Sequence, residues 1–400
     1  MEKTALFAGL GQFTDGFDLL VMSGALLTLI PYFHLTKAQV GLITSAPFFG
    51  AIIGATLFGW VADKIGRKTT FYFTIGTFIL GSTVGALSSN PNTLLLARFI
   101  TGLGIGGDVP AACSLVAETS QTELRGSSLC IQTLMWGLGG LSALLCAIPF
   151  IGFKVAWRIL LALGVFPPLI TLAVRSRLKE SSRWLNAKGS KTSVQHAKAI
   201  KLLIFTSSGL FVYTFILAAF ATYTPTILRE AFNTTLTNSL LVGSLQWLGF
   251  SVASAITFIL VEKIGRKKLI TISTISLIFT LALAALYTTN GSLRGFTASL
   301  FALWVAGGVA YTVTTVYAFE LFPTRIRGAS GGVAFAFGRL GGYTTTLLFP
   351  LLLDTGLAHV ISFYTLPPIV ATIIASTIPP ETKRKTLEQL EEELGKTPPT

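Results

Sequence analysis

Gly59-Trp60-Val61-Ala62-Asp63-Lys64-Ile65-Gly66-Arg67-Lys68 ends one long apolar run and opens the next, and Glu262-Lys263-Ile264-Gly265-Arg266-Lys267 does the same 199 residues later. Each copy sets an acid, a lysine, an isoleucine, a glycine and an arginine in the same order between two apolar runs. A second pair recurs at nearly the same distance: Glu118 with Arg125-Gly126, and Glu320 with Arg327-Gly328, offset by 202. Two motifs repeating at almost one offset mean that the chain is a duplication, two halves of one design.

Composition says what kind of chain is duplicated. Of 400 residues 52% are apolar and 12% charged, with a mean hydropathy of +0.70. A soluble domain carries roughly 25% charged residues, and a disordered chain is never this apolar. Runs long enough to cross a bilayer are predicted over 5–30, 40–62, 69–89, 93–115, 127–150, 155–174, 202–228, 238–261, 267–288, 295–319, 328–352 and 358–378. The expected fold class is an all-α membrane protein of 12 transmembrane helices in two pseudo-symmetric six-helix bundles, 1–174 and 202–378. A basic linker over 175–201 joins them, and a polar tail over 379–400 follows. In that tail Leu387, Leu390 and Leu394 have helical spacing and predict a short surface helix. Parallel repeats of this kind are a transporter architecture, with the substrate held between the halves near the midplane.

The net charge of +13 is not gathered in one arm or patch, which argues against a nucleic-acid partner. The basic residues sit in short loops. With both termini in the cytoplasm, the inner segments hold 23 Lys and Arg and the outer loops four. That bias orients a multi-pass protein of the plasma membrane. The linker carries eight Lys and Arg against one acid, Glu180, and reads as a solvated cytoplasmic segment beside anionic lipid. Cys113, Cys130 and Cys146 lie inside apolar runs at spacings that suit no metal site or disulfide framework, so they read as packing residues. His34, His196 and His359 are far apart and at span ends, which leaves no catalytic constellation and argues against an enzyme. Asp15 and Asp18 interrupt the first run and no small-residue cleavage site follows, so no cleavable signal peptide is expected.

The loop motifs resemble those of the major facilitator superfamily. Gly59 to Lys68 is similar to the family's loop between its second and third helices, with Val61 where Leu is common. Arg98, Gly102, Gly104 and Gly106 resemble its fourth-helix motif; Ser181-Ser182-Arg183-Trp184-Leu185 and Pro380-Glu381-Thr382-Lys383 resemble the sequences after the sixth and twelfth helices. Three branches are in play. Asp15-Gly16-Phe17-Asp18 and Gly104 to Pro110 resemble the aromatic-acid:proton symporters. Gly106-Gly107-Asp108 resembles the phosphate:proton symporters, although Val109 stands where they have Tyr and 202–228 contains no acid. The Glu/Arg-Gly loops and Pro380-Glu381-Thr382 are shared with sugar porters, whose seventh-helix Gln-Gln-x-Ser-Gly is missing. The resemblance implies a proton-coupled symporter working by alternating access as a monomer, with the proton as coupling ion and no metal or other cofactor. The substrate it favours is a small organic anion, with phosphate:proton symport and sugar transport or uniport as alternatives. A non-transporting receptor of the same family is a further alternative; it would be expected to carry long soluble extensions.

Few ionisable residues lie within the spans, and a charge in hydrocarbon needs a cavity or a partner. Asp15 and Asp18 are three apart and share a helix face; two close carboxylates favour one holding a proton. In sugar porters the residue matching Asp18 pairs with the residue matching Arg98 and takes the coupling proton, so the resemblance implies those roles here; a static pair is the competing reading. Asp108 is a second proton site, a substrate acceptor, or a packing hydrogen-bonder among the glycines. Arg339 has no acid in its own helix, which suits an anionic substrate held by a charge-assisted contact or a pair with a first-helix Asp. Gln132, Trp136, Tyr213, Tyr223, Gln246, Trp247 and Tyr311 are candidate cavity-lining residues, because aromatics with a polar edge suit small ligands. Asp63, Arg67, Glu118, Arg125, Glu262, Arg266, Glu320 and Arg327 fall at the cytoplasmic surface. As a network between the halves they would hold that side shut.

Overall fold

The computed structural model describes residues 3–150, 152–187 and 196–395. Twelve membrane-crossing helices run through them: α1 (Lys3–Phe33), α2 (Lys37–Ile65), α3 (Arg67–Leu87), α4 (Pro91–Thr119), α5 (Arg125–Ala147) and α6 (Ala156–Arg175) in the first half. The second half holds α7 (His196–Phe232), α8 (Leu236–Ile264), α9 (Arg266–Thr289), α10 (Leu293–Glu320), α11 (Arg327–Leu352) and α12 (Leu357–Thr377). Eleven are both long and strongly apolar. The exception, α11, is diluted by six glycines and Arg339, yet its 26 residues span about 39 Å.

Local chemistry sets the helix ends. Thr36 and Gln39 form a reciprocal capping box at the start of α2. Asn90, Thr235 and Ser292 cap α4, α8 and α10, with Pro91 at the first position of α4. The Ile-Gly-Arg repeat explains itself at Gly66 and Gly265. Their φ values of 108° and 97° lie where L-residues with a side chain are strained, and this lets one helix stop and the next begin within a single residue.

The structure shows a third repeat. α6 and α12 are each interrupted halfway, at Phe166-Pro167-Pro168 and Leu366-Pro367-Pro368, 200 residues apart. Proline at the start of each second segment removes the backbone donors that an unbroken helix needs. Both spans were expected as continuous helices.

The expected linker is shorter at both ends. Arg175 closes α6 and is buried, and α7 begins at His196 rather than 202. Between them, Ser182–Ala187 forms a short helix; residues 188–195, with Lys188 and Lys191 of the basic stretch, lie outside the described residues. The tail helix is present as Leu387–Gly395, with Leu387 and Leu390 buried; the side chain of Leu394 and residues 396–400 lie outside the description.

Packing divides the helices by environment. α3, α5, α6, α9 and α12 bury the smallest shares of their apolar windows and expose Phe73, Leu145, Phe166, Phe279 and Ile373 in a lipid-facing belt. The halves meet along α2 with α11 and along α5 with α8. α2 and α11 touch at both ends: a Cβ at Gly59 would stand 2.5 Å from the Gly328 carbonyl oxygen, and one at Gly41 would stand 2.6 Å from that of Leu347. α2 and α11 therefore hold the halves together at both ends of their contact.

Candidate functional site

A narrow cavity lies between the halves. Leu19 and Leu20 of α1, Phe48 of α2 and Trp136 of α5 line it from the first half; Thr214 and Leu217 of α7, Trp247 of α8, Trp304 and Tyr311 of α10 and Arg339 of α11 face them from the second. Its walls are mainly aromatic and aliphatic. Trp136 stands edge-on to Trp247 with ring centroids 5.0 Å apart, Trp247 lies 4.6 Å from Trp304, and Trp136 stacks on Tyr311 at 5.7 Å.

One buried ion pair crosses the halves at this wall. Arg339 Nη2 donates to Asp15 Oδ2 at 2.9 Å, joining α11 to α1. Both residues are buried, at 3% and 0% exposure. A buried pair contributes little net stability, but removing one partner strands the other charge at a cost of several kcal/mol, about 3–5. Asp15 Oδ1 and Arg339 Nε have no partner within the protein, so the pair leaves hydrogen-bonding capacity unused.

Asp18 and Arg98 are brought near one another without closing. Ser82 donates to Asp18 Oδ1 at 3.0 Å, while Asp18 Oδ2 and Arg98 Nε and Nη2 have no hydrogen-bond partner. The expected direct pair is thus a loose one, with Ser82 of α3 as the hydroxyl that sequence reading missed.

Asp108 is moved out of the cavity. Arg175 forks onto its carboxylate, with Nη2 3.0 Å from Oδ2 and Nη1 on Oδ1. The same guanidinium reaches the carbonyls of Phe7 and Ala8 and lies 4.1 Å over the Phe71 ring. Thr74 and Gln12 complete the shell. Arg175 was expected in the solvated linker because it follows the last apolar residue of α6. The available signal was Asp108 itself, a carboxylate in the fourth span with no nearby cation in the sequence. Gln132, Tyr213, Tyr223 and Gln246 also do not line the cavity. Their polar atoms bond to the Ala5 carbonyl, to Thr274, to Thr44 and the Thr346 carbonyl, and to Thr224, respectively. Trp136, Tyr311, Trp247 and Arg339 do line it, and Trp304 joins them unannounced.

The loop charges form a twofold network across the basic face. Asp63 accepts from the N–H groups of Gly328 and Ala329 at 3.1 and 2.8 Å, at the N-terminus of α11. Its counterpart Glu262 accepts from Gly126 N–H at 2.9 Å, at the start of α5. Glu118 binds Arg67 at 2.8 Å and, across the halves, Arg327 at 3.2 Å. Glu320 binds Arg266 at 2.9 Å and, across the halves, Arg125 at 3.3 Å. Two further acids cap the turns behind this network: Glu180 accepts from Lys68 N–H, and Glu381 accepts from Arg266 and Lys267 N–H. Among the described residues no group of three or more His, Cys, Asp or Glu forms a metal site.

A family model described as Major Facilitator Superfamily matches residues 8–346 and again 206–399. The chain belongs to that superfamily. As a member it is a multi-pass membrane transporter, and the relatives it matches are transporters rather than enzymes. It is 31% identical to the putative niacin/nicotinamide transporter NiaP of Bacillus subtilis, over 89% of this chain and 88% of that protein. It is 27% identical to the arabinose-proton symporter of the same organism, over 96% and 93%. Its fold superposes on the proton:xylose symporter XylE bound to 6-bromo-6-deoxy-D-glucose with a TM-score of 0.86 at 20% identity, covering 98% of each chain. The transporter's twofold network, Gly-Arg turns and central cavity thus occupy a fold shared with solved members of the family.

Proposed function

We propose that this transporter is a proton-coupled symporter that brings small organic monoanions across the plasma membrane, with its basic face in the cytoplasm. The observation that carries the reading is the Asp15–Arg339 pair at the wall of the cavity. A proton arriving at Asp15 neutralises its carboxylate and releases the Arg339 guanidinium. The substrate carboxylate then takes the vacated donors in a charge-assisted contact. Proton without anion leaves Arg339 unpaired, and anion without proton leaves Asp15 unpaired. Each half-loaded state carries a buried uncompensated charge, so only the empty and fully loaded carrier change sides easily. Asp18, one turn further along α1 beside Ser82 and Arg98, is placed to pass the proton inward. The cavity is complete within one chain, so a monomer suffices, and the proton is the only coupling ion required. The twofold network holds the cytoplasmic side shut until loading shifts the balance by differential binding. The niacin transporter NiaP of Acinetobacter baylyi, among its relatives, handles a small aromatic carboxylate, which fits this chemistry.

A second reading, sugar symport, draws on the open Asp18–Arg98 arrangement and on the arabinose-proton and glucose transporter relatives. Phosphate is disfavoured because Asp108 is engaged by Arg175. Proteoliposomes with an internal pH dye separate these. Nicotinate or benzoate should acidify the lumen, Asp15→Asn should abolish proton movement while counterflow persists, and Arg339→Ala should lose about 1.5–3 kcal/mol of binding, about 10- to 150-fold in apparent affinity. Proton uptake with arabinose or glucose alone, unaffected by Arg339→Ala, would refute the anion reading.

A further inference from the structure

We propose that the cavity selects a planar aromatic carboxylate bearing a second hydrogen-bond acceptor on its ring, the carboxylate facing Arg339 and the ring acceptor taking the indole N–H of Trp247 or Trp304. The inference rests on the anion reading above and adds the part of the substrate that Arg339 does not touch.

Three tryptophans line one small cavity, and the indole nitrogens of Trp247 and Trp304 are buried with no hydrogen-bond partner in the protein. Leaving a buried donor unpaired costs about 1–3 kcal/mol. Phenylalanine would fill the same walls without that penalty. Unpaired donors in the walls of a cavity are explained when its occupant supplies the acceptors. Trp136 belongs to the side where Asp15 approaches, since its indole N–H is turned as a donor towards that carboxylate. Trp247 and Trp304, packed on each other at 4.6 Å, are left for the remote end of the ligand.

The remaining surface fixes the ligand's shape. Leu19, Leu20, Leu217, Ala218 and Ala221 offer no hydrogen bonds, so the ligand's faces against them are apolar, and polar groups are met only where Thr214, Thr222, Tyr311, Arg339 and the indoles stand. A flat ring between aromatic walls satisfies the geometry that stacked and edge-on rings prefer. A pyridine carboxylate matches both ends, an anionic group and a ring nitrogen with a lone pair. Benzoate matches only one.

The test is counterflow of labelled nicotinate in proteoliposomes, competed by unlabelled nicotinate, isonicotinate or benzoate. In the wild type, a pyridine carboxylate should compete about tenfold better than benzoate, the value of one neutral hydrogen bond of about 1.4 kcal/mol. Trp247→Phe or Trp304→Phe should bring that ratio close to one, whatever the change in benzoate competition itself. A tryptophan that only fills space would alter both competitors together and leave the ratio intact. Trp157→Phe is the control: its indole N–H is equally unpartnered, but it packs on Phe33 and Arg158 away from the cavity. Equal competition by benzoate in the wild type, or a ratio that survives both Trp→Phe changes singly and together, overturns this inference while leaving the anion reading standing. If no carboxylate is exchanged and a sugar is, the anion reading itself fails and takes this one with it.

Discussion

The two halves are bolted together unequally on the basic face, and Asp63→Asn tests what that inequality does. The Asp63 carboxylate bridges the halves through two N–H groups of α11, at 3.1 and 2.8 Å, whereas Glu262 bridges them through one, at 2.9 Å. An asparagine has one acceptor oxygen, so one of the two N–H groups loses its partner and the negative charge at the helix N-terminus is gone. Hydrogen bonds to a charged group contribute about 1.5–3 kcal/mol, and the helix-end charge adds about 0.3–1 kcal/mol. The Asp63–Arg67 contact at 3.0 Å stays within one half and is common to both states, so it cancels. The closed state should lose at least about 1.5–3 kcal/mol relative to the open one, a shift of about 10- to 150-fold. Glu262→Gln keeps its single N–H acceptor and should shift the balance by less than about tenfold, or 1.4 kcal/mol. Spin labels at Lys64 and Arg325, both exposed and on opposite halves, report the opening as a distance distribution after Cys113, Cys130 and Cys146 are replaced. An unchanged distribution in Asp63→Asn, or an equal or larger shift in Glu262→Gln, would refute the assignment of closure to these bonds.

Three further outcomes are expected. Arg175→Met leaves Asp108 buried without its cation and should lower thermal stability in detergent by about 3–5 kcal/mol, with much of the loss recovered when Asp108→Leu is added; a single variant as stable as the parent would show that the pair is not holding α1, α4 and α6. Gly332→Ala places a methyl group against the Ala55 carbonyl at the α2–α11 contact and should cost about 1–3 kcal/mol and slow transport, whereas Gly76→Ala meets nothing within 4 Å and should be neutral; equal behaviour of the two would remove close helix approach as the reason for glycine. In the tail, burial pushes the Glu388 carboxyl up, but the backbone at its helix start, Arg183 and Thr386 outweigh this and hold it below the usual carboxylate range. Its contact with Arg183 at 2.7 Å therefore stabilises docking above the ordinary glutamate value and is lost as pH falls through the lowered one. Hydrogen exchange of Leu387–Gly395 against pH should show that acid-side loss, worth under about 1 kcal/mol at so exposed a pair, and Glu388→Gln should flatten it; an identical profile in the variant would count against the pairing.

Much of this protein was legible in its sequence. Twelve runs of apolar residues, their grouping as six and six, and the twofold set of loop charges are statements about periodicity and spacing, and bilayer thickness turns them into helices directly. The loop-charge network was readable because a charge in a short loop has few places to go. Arg339 was readable because a guanidinium at that depth demands an anion. What the tertiary structure decided is which buried charge answers which. Most of these helices are apolar on nearly every side, so the pattern along a helix does not say which face meets a neighbour. Helix rotation therefore settled that Arg339 meets Asp15, that Arg175 leaves the linker for Asp108, and that Ser82 supports Asp18. It also turned Gln132, Tyr213 and Gln246 away from the cavity and Trp304 towards it. The sequence by itself determined how many times the chain crosses the membrane and where its halves lock, because length and loop charge are local properties. Only the packed bundle decided the chemistry of the cavity, because that depends on which faces of seven different helices converge at one point.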